Sequence, residues 1–514
     1  MMIPAMLVDA IPQNVDYVRI LPEIVLSLFG ILVMVLDPLV DEEKSQSTLG
    51  FIALAGTLAG LASVWYMAQS PAGLAFSRNI RVDTFSIFFS YLVIAIAAVV
   101  TLSSFEYMAV QRIRAGEYYA LILFSVVGMV LMASAVELVL IFIGLEISSI
   151  STYILAGFRR NDASSSESSL KYFLLGSFAT AFFLYGVAMM FGATGSTNID
   201  TIGQTLKSGP VPVLVFVAMA LMFVGLGFKV AAAPFHIWTP DVYEGAPAPV
   251  VGFMSTAPKA AAFAVLLRVV FSINAPGRFW FLWVAAALSM TLGNVGALVQ
   301  TNVKRLLAYS SIAHAGYLLV AFAMTSQENS SNGISAAMFY TAAYAAMNIG
   351  AFAVVSHFAN AGERYVSLED YEGLGRSSPL LAATLTIFLL SLIGIPMTGG
   401  FFAKFYVFSA ALRANLIWLT LIGVVNSAIG AYYYLRIIVV MYMRESRKEV
   451  PVTPVPFGLG VALAVSILAT FYLGMLPNRV LQVAQHSAQE LLYQPSSPSS
   501  NIAQTPHAAG IPEQ

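Results

Sequence analysis

Seven ionisable side chains fall well inside apolar stretches of this chain: Glu146, Lys229, His236, Lys259, His314, Lys404 and Arg436. The segment GLGFKVAAAPFHIWTPDVYEG (225–245) shows the problem they pose, because Lys229 interrupts a run that otherwise suits lipid. A charge at the centre of a membrane helix costs about 2.5–3.5 kcal/mol, so three lysines ask for roughly 8–10 kcal/mol if nothing compensates them. Such groups are kept for function or for tight pairing. Lysine suits proton exchange, since its ammonium is a movable point charge that burial readily neutralises, whereas an arginine stays charged. Arg436 therefore reads as structural, or as a residue whose head reaches the water interface.

Glu146, in LVLIFIGLEISSISTYIL, has two readings. It is either a packing carboxylate hydrogen-bonded to nearby serines, or a partner for Lys229. A carboxylate within about 4–6 Å favours the charged lysine while desolvation disfavours it, so changing that distance would load or unload a proton. Lys259 follows Pro258 in STAPKAAAF, and Lys404 lies in GGFFAKFYVF; for both, the alternative is a side chain stretched to the interface. His236 comes seven residues after Lys229, which on an unbroken helix would put both on one face about 10 Å apart. His314 lies mid-run in SSIAHAGYLL. Either imidazole could bridge lysines through water or be a satisfied interior histidine. Taken together, the set has the residue types of a proton relay.

Composition narrows the classes. Of 514 residues, 59% are hydrophobic and 10% charged, against about a quarter charged in soluble domains; this is an integral membrane protein. The absence of cysteine excludes a cysteine-ligated iron–sulfur cluster, a haem attachment motif and disulfides. The 21 methionines are packing material. A net charge of −1 without a basic stripe or a nucleotide-type glycine loop gives no sign of nucleic acid. The opening MMIPAMLVDAIPQNVDYVRI has no basic cluster before its first apolar run, so no cleaved signal peptide is expected.

The elements that must position these residues are helices. Apolar runs predict fourteen spans near 19–39, 48–67, 84–104, 117–135, 136–158, 168–192, 211–238, 243–271, 279–300, 304–324, 334–359, 378–411, 415–443 and 454–475. Pro234 and Pro240 interrupt the seventh, Pro247, Pro249 and Pro258 the eighth, and IGIPMTGGFFAKF (393–405) the twelfth. Freed backbone groups at membrane depth are tolerated only inside protein or beside water, so the breaks mark interior, hydrated positions. Breaks five helices apart, each with a lysine nearby, suggest two inverted five-helix repeats, roughly 117–271 and 279–443, in one domain covering 1–476. Loops after odd-numbered spans hold twelve Lys and Arg and the opposite side seven, which places both termini outside the cytoplasm. From 477 to 514 the sequence reads as a disordered tail rich in Pro, Ser and Gln.

PFHIWTPDVYEGAPAPVVGFMSTAPKAAAF (234–263), with LGLGFKVAAAPFH, LKYFLLGSF (170–178), KRLLAYSSIAHAGY (304–317), LPE (21–23) and GIPMTGGFFAKF, resembles the subunit N family of bacterial NADH-quinone oxidoreductase, respiratory complex I. The likeness covers roughly residues 17–476. It implies a fourteen-helix, all-α membrane fold with helices 7 and 12 broken, in the bacterial inner membrane, and proton translocation driven by quinone reduction in neighbouring complex I subunits. It implies no cofactor bound by this chain, with NADH, flavin, iron–sulfur clusters and quinone on other subunits. The family's proton-carrying glutamate and lysines map to Glu146, Lys229, Lys259 and Lys404, with His236 and His314 as secondary relay candidates. A related reading is an Mrp-type cation/proton antiporter or membrane-bound hydrogenase subunit, against which PDVYEGAP argues. A membrane scaffold that moves no protons is the third.

Overall fold

Most of the apolar runs are hydrophobic around their whole circumference, as helices surrounded by lipid or by other helices must be. The computed structural model describes residues 14–40, 42–111, 113–273, 278–324, 330–446 and 453–492. From the N-terminus the helices are α1 (Asn14–Arg19), α2 (Leu21–Leu36), α3 (Glu42–Ala68), α4 (Thr84–Gln111), α5 (Gly116–Ser134), α6 (Leu138–Ala156) and α7 (Ala163–Thr194). Then come α8 (Ile199–Lys207), α9 (Val213–Val230), α10 (Trp238–Gly245), α11 (Ala248–Met254), α12 (Ala257–Ser272), α13 (Arg278–Leu298), α14 (Val303–Ala323) and α15 (Ser330–Ala359). The last are α16 (Leu374–Ser377), α17 (Pro379–Ile393), α18 (Gly399–Arg413), α19 (Ile417–Met443), α20 (Phe457–Met475) and α21 (Pro477–Leu492). An antiparallel hairpin, β1 (Gly73–Ala75) with β2 (Ile80–Val82), links α3 to α4 and pairs Leu74 with Arg81.

Among the described residues, thirteen helices are long and apolar enough to cross a membrane. Each predicted span has a helical counterpart, the twelfth being the pair α17 and α18. Burial separates a centre from a rim. The most apolar part of Ala248–Ser272 is wholly buried, and those of α14 and α15 are 94% and 89% buried, against 28% for the first span. Leu28, Ile31 and Val35 on α2 and Trp418, Leu421 and Val425 on α19 are exposed apolar residues of the kind lipid contact requires. The buried centre is where Lys259, His314 and their partners lie.

The seventh span does not run to 238. It stops at Val230, where Ala231 turns left-handed (φ 60°), and the chain resumes as α10. The orphaned backbone groups are satisfied within protein: Ala232 N–H donates to Gly227 O at 2.8 Å, the Trp238 indole to Phe228 O at 3.0 Å, and Ala233 N–H to the Ser289 hydroxyl at 2.8 Å. In the twelfth, α17 ends at Gly394 with φ 96°, a conformation that needs glycine.

The tail expectation needs correction over 477–492. Those residues form α21, which packs on α15 and α4. Ala484, Ser487, Ala488 and Leu491 are buried along one stripe at helical spacing, and Glu490 accepts the Thr84 N–H at 2.9 Å and hydroxyl at 2.8 Å at the start of α4. A stripe that narrow leaves mean hydropathy low, so a search for apolar runs passes over it. Residues beyond 492 lie outside the described part.

Candidate functional site

Lys229 is the penultimate residue of α9, and only 3% of its surface is exposed. The break that ends the helix puts its ammonium beside polar side chains of α6 and α7. It donates to the Ser149 hydroxyl at 2.8 Å and to Tyr172 OH at 3.4 Å, and lies 5.6 and 5.5 Å from the ring centres of Tyr153 and Tyr172. Tyr172 stacks on Trp238 at 4.5 Å, so the residue that begins α10 braces the cage. The helix C-terminus also favours a cation there.

Glu146 makes no direct contact with Lys229 in this structure. No ion pair joins it to Lys229, whose ammonium is held by Ser149, one turn further along α6. The carboxylate acts on the ammonium at longer range, and its Oε1 is buried with no hydrogen-bond partner. The packing reading, in which serines bond the carboxylate, is not met at that oxygen either.

Lys259, also 3% exposed, is the third residue of α12, just past a kink at Ser255 and Thr256. The Thr256 hydroxyl donates to Gly252 O at 2.7 Å, tying down a carbonyl there. Lys259 donates to the Ser311 hydroxyl at 2.6 Å and lies 5.9 Å from the Tyr243 ring centre. Tyr344 OH also donates to Ser311, at 2.9 Å.

One turn along α14 from Ser311, His314 is 2% exposed. Its Nδ1 is 2.7 Å from Tyr340 OH and its Nε2 3.3 Å from Tyr434 OH, which bonds the Ser310 hydroxyl in turn. Both Lys259 and Lys404 act electrostatically on this imidazole.

Lys404 on α18 is 9% exposed and caps the broken helix before it. It donates to Leu392 O at 3.0 Å, Ile393 O at 2.8 Å and the Ser427 hydroxyl at 2.8 Å, with the Tyr317 ring centre at 5.1 Å. The last carbonyls of a helix carry partial negative charge, so a cation there needs no carboxylate. Tyr317 OH accepts from Asn294 at 3.0 Å, which accepts from Tyr433 at 3.0 Å. These hydroxyls and amides extend polar contacts from the His314 region toward Lys404.

His236 is not drawn into this line. The seventh span is broken between it and Lys229, so the shared helical face does not form; its Nδ1 is buried without a partner, between exposed Pro234 and Ile237. Arg436 donates to Leu298 O at 3.1 Å at the end of α13, a structural contact.

Two buried ion pairs escaped the sequence reading. Arg268 on α12 grips Asp83 in a two-pronged contact at 3.0 and 2.8 Å and donates to Ala133 O at 3.1 Å. Lys304, at the start of the tenth predicted span, is buried on α14 and bonds Glu363 at 2.6 Å. Burial alone would push the Glu363 carboxyl up, but Lys304 and Arg159 beside it hold it below the usual carboxylate range. In contrast, among the described residues none of Lys229, Lys259 and Lys404 forms an ion pair: each donates to hydroxyls or carbonyls.

Comparison with known proteins agrees with the fold. Residues 135–430 match the family described as NADH:quinone oxidoreductase/Mrp antiporter, TM. The chain is 66% identical to NADH-quinone oxidoreductase subunit N 2 of Koribacter versatilis (strain Ellin345), over 94% of this chain and 99% of that protein. A chain of respiratory complex I from Thermus thermophilus with bound aureothin is 37% identical, with TM-score 0.77 over 90% of this chain and 99% of that one. A chain of the Mrp complex from Dietzia sp. DQ12-45-1b superposes with TM-score 0.79 over 92% and 97% of the two chains, but at 21% identity it shares the fold alone.

Proposed function

The chain belongs to the subunit N family of NADH-quinone oxidoreductases, and on that premise we propose that Lys229, Lys259, His314 and Lys404 carry protons through its centre. The observation behind this is the bonding of the three lysines. Each is at least nine-tenths buried, yet each is held by neutral hydroxyls, carbonyls and ring faces. Such partners stabilise an ammonium without committing it to that state, whereas the Asp83 carboxylate holds Arg268 charged.

Protons reach Lys229, pass to Lys259, cross the Ser311, Tyr344 and His314 region, and leave by Lys404. Glu146 sets when Lys229 is charged, acting across a gap that closes and opens as neighbouring subunits move. Moving one charge against 100 mV costs about 2.3 kcal/mol, within reach of a change of two pKa units at about 1.36 kcal/mol each. The chain contributes no redox centre; NADH, flavin, iron–sulfur clusters and quinone are bound by other subunits of the complex. It sits in the bacterial inner membrane with odd-numbered loops facing the cytoplasm and both termini on the periplasmic side. Helices broken beside Lys229 and beside Lys404 fit two inverted five-helix units.

The test is Lys229→Ala in the assembled complex, with proton pumping and NADH:quinone turnover measured in everted membrane vesicles. Pumping coupled to turnover is expected to disappear while assembly survives. Full pumping by the assembled variant overturns the proposal.

A further inference from the structure

Glu363 gathers partners from four elements that meet on the face of the odd-numbered loops. Its Oε2 accepts from Lys304 at 2.6 Å; its Oε1 accepts from Tyr107 OH at 2.7 Å and from Ala248 N–H at 2.6 Å. Arg159 stands 4.0 Å away, with Glu244 acting on Lys304 from further off. Two features show that the cluster is more than a clasp. Arg159 and Gly362 line a cleft of about 570 Å³ that also takes in Gln111 and Asp162, so solvent comes within one side chain of Glu363. Arg159 is 90% buried at its side chain, and its Nε and Nη1 have no hydrogen-bond partner.

On the inward side the cluster points to Lys259. Lys304 and Ser311 are seven residues apart on α14, which places them on one face about 10 Å apart along the axis, and Ser311 holds the Lys259 ammonium. The end of α10 spans the same interval: Ala246 O accepts from Lys304 at 2.6 Å, while the Tyr243 ring lies against Lys259. The Tyr243 hydroxyl is buried, near enough to Ser311 to interact with it, but in no hydrogen bond of ordinary geometry. A buried hydroxyl beside Lys259 that is left unmet is costly to keep, since it forfeits its bonds to water.

We infer that Glu363, Lys304 and Tyr243 form a second proton inlet, which reloads Lys259 from the Arg159 cleft. The charge on Lys229 is still needed to drive the proton on from Lys259 toward Lys404, so that each cycle requires both. Lys304 yields its proton through the Tyr243 and Ser311 hydroxyls to a neutral Lys259. Loss of that counter-charge leaves Glu363 with only the more distant Arg159 to balance it, and the carboxylate takes a proton from water in the cleft and passes it to Lys304, restoring the ion pair. One proton enters and one reaches Lys259 in each cycle. The inference rests on the reading of Lys259 as a proton carrier.

Tyr243→Phe, Glu363→Gln and Lys259→Ala in the assembled complex test it, with pumping and turnover followed in everted vesicles. Glu363→Gln should slow coupled pumping on the order of a hundredfold, the scale of losing a proton-transferring group. Tyr243→Phe should slow it about tenfold, since water can stand in for a hydroxyl; Glu363→Asp should recover most of the rate. Because the Tyr243 hydroxyl is in no hydrogen bond of ordinary geometry, a purely structural cluster predicts wild-type pumping from Tyr243→Phe. That result overturns the inlet, even if Glu363→Gln fails to assemble. Wild-type pumping by an assembled Glu363→Gln complex overturns it as well. Full pumping by Lys259→Ala strikes instead at the proton line of the previous subsection.

Discussion

Replacing Asp83 should reveal how strongly a buried charge pair pins the central helix. Arg268 is 1% exposed and Asp83 5%, and the two-pronged contact joins the centre of the bundle to the start of α4. Asp83 also caps that helix, accepting from Ser86 N–H at 2.7 Å. Asp83→Asn keeps the cap but leaves Arg268 without a counter-charge. Breaking one side of a buried pair costs about 3–5 kcal/mol. The surviving bond to Ala133 O and the Phe85 ring 4.7 Å beneath the guanidinium keep the expected loss near the lower figure, about 3 kcal/mol. Asp83→Ala adds the lost cap, about 1 kcal/mol more. Unfolding of the purified chain in mixed micelles, followed by tryptophan fluorescence, measures both. The double variant Asp83→Leu with Arg268→Met should be more stable than Asp83→Asn, because it removes the charge as well as its partner. If Asp83→Asn falls within about 1 kcal/mol of wild type, or the double variant is as unstable as the sum of its single changes, the reasoning about desolvated charge is wrong.

Further outcomes follow from other contacts. Ser149→Ala removes the shortest bond to Lys229 and should weaken the hold on its charged form by about 1.5–3 kcal/mol, read as slowed coupled pumping in everted vesicles with assembly unchanged. Gly400→Ala would drive a methyl into the Ser391 carbonyl at the twelfth-helix break, and loss of the assembled subunit from membranes is expected. The Glu363 carboxyl, held low by Lys304 and Arg159, contributes stability that is present above its unfolded pKa of about 4.3 and lost as pH falls through the lower folded value. An acid titration of the assembled complex should therefore be flat from about pH 5 to 8 and fall steeply below about pH 4.

The spans and their breaks were legible because membrane helices write themselves as long apolar runs, and because proline has no N–H to continue a helix. Lys229, Lys259, His314 and Lys404 stood out for the same reason, as polar residues where lipid-compatible ones are the rule. Their partners were not legible. Ser149 lies 80 residues from Lys229 and Ser311 lies 52 from Lys259, and no local pattern announces such pairings. Asp83 and Glu363 sit just outside apolar runs and read as loop charges, although folding buries both. The direct partners of Lys229, a serine and two tyrosines beside the helix break, were not legible either, since the sequence offered only Glu146 as a charge to act on it. The amphipathic α21 was hidden by polar residues on its outer face.

The most direct test of the central line compares Lys229→Ala, Lys259→Ala and Lys404→Ala, each in the assembled complex, for protons pumped per NADH oxidised, with Arg436→Met as a control for loss of a structural cation. Loss of coupled pumping in all three lysine variants, with the Arg436 variant close to wild type, is the predicted result. Wild-type pumping by any assembled lysine variant contradicts a proton line that needs these residues.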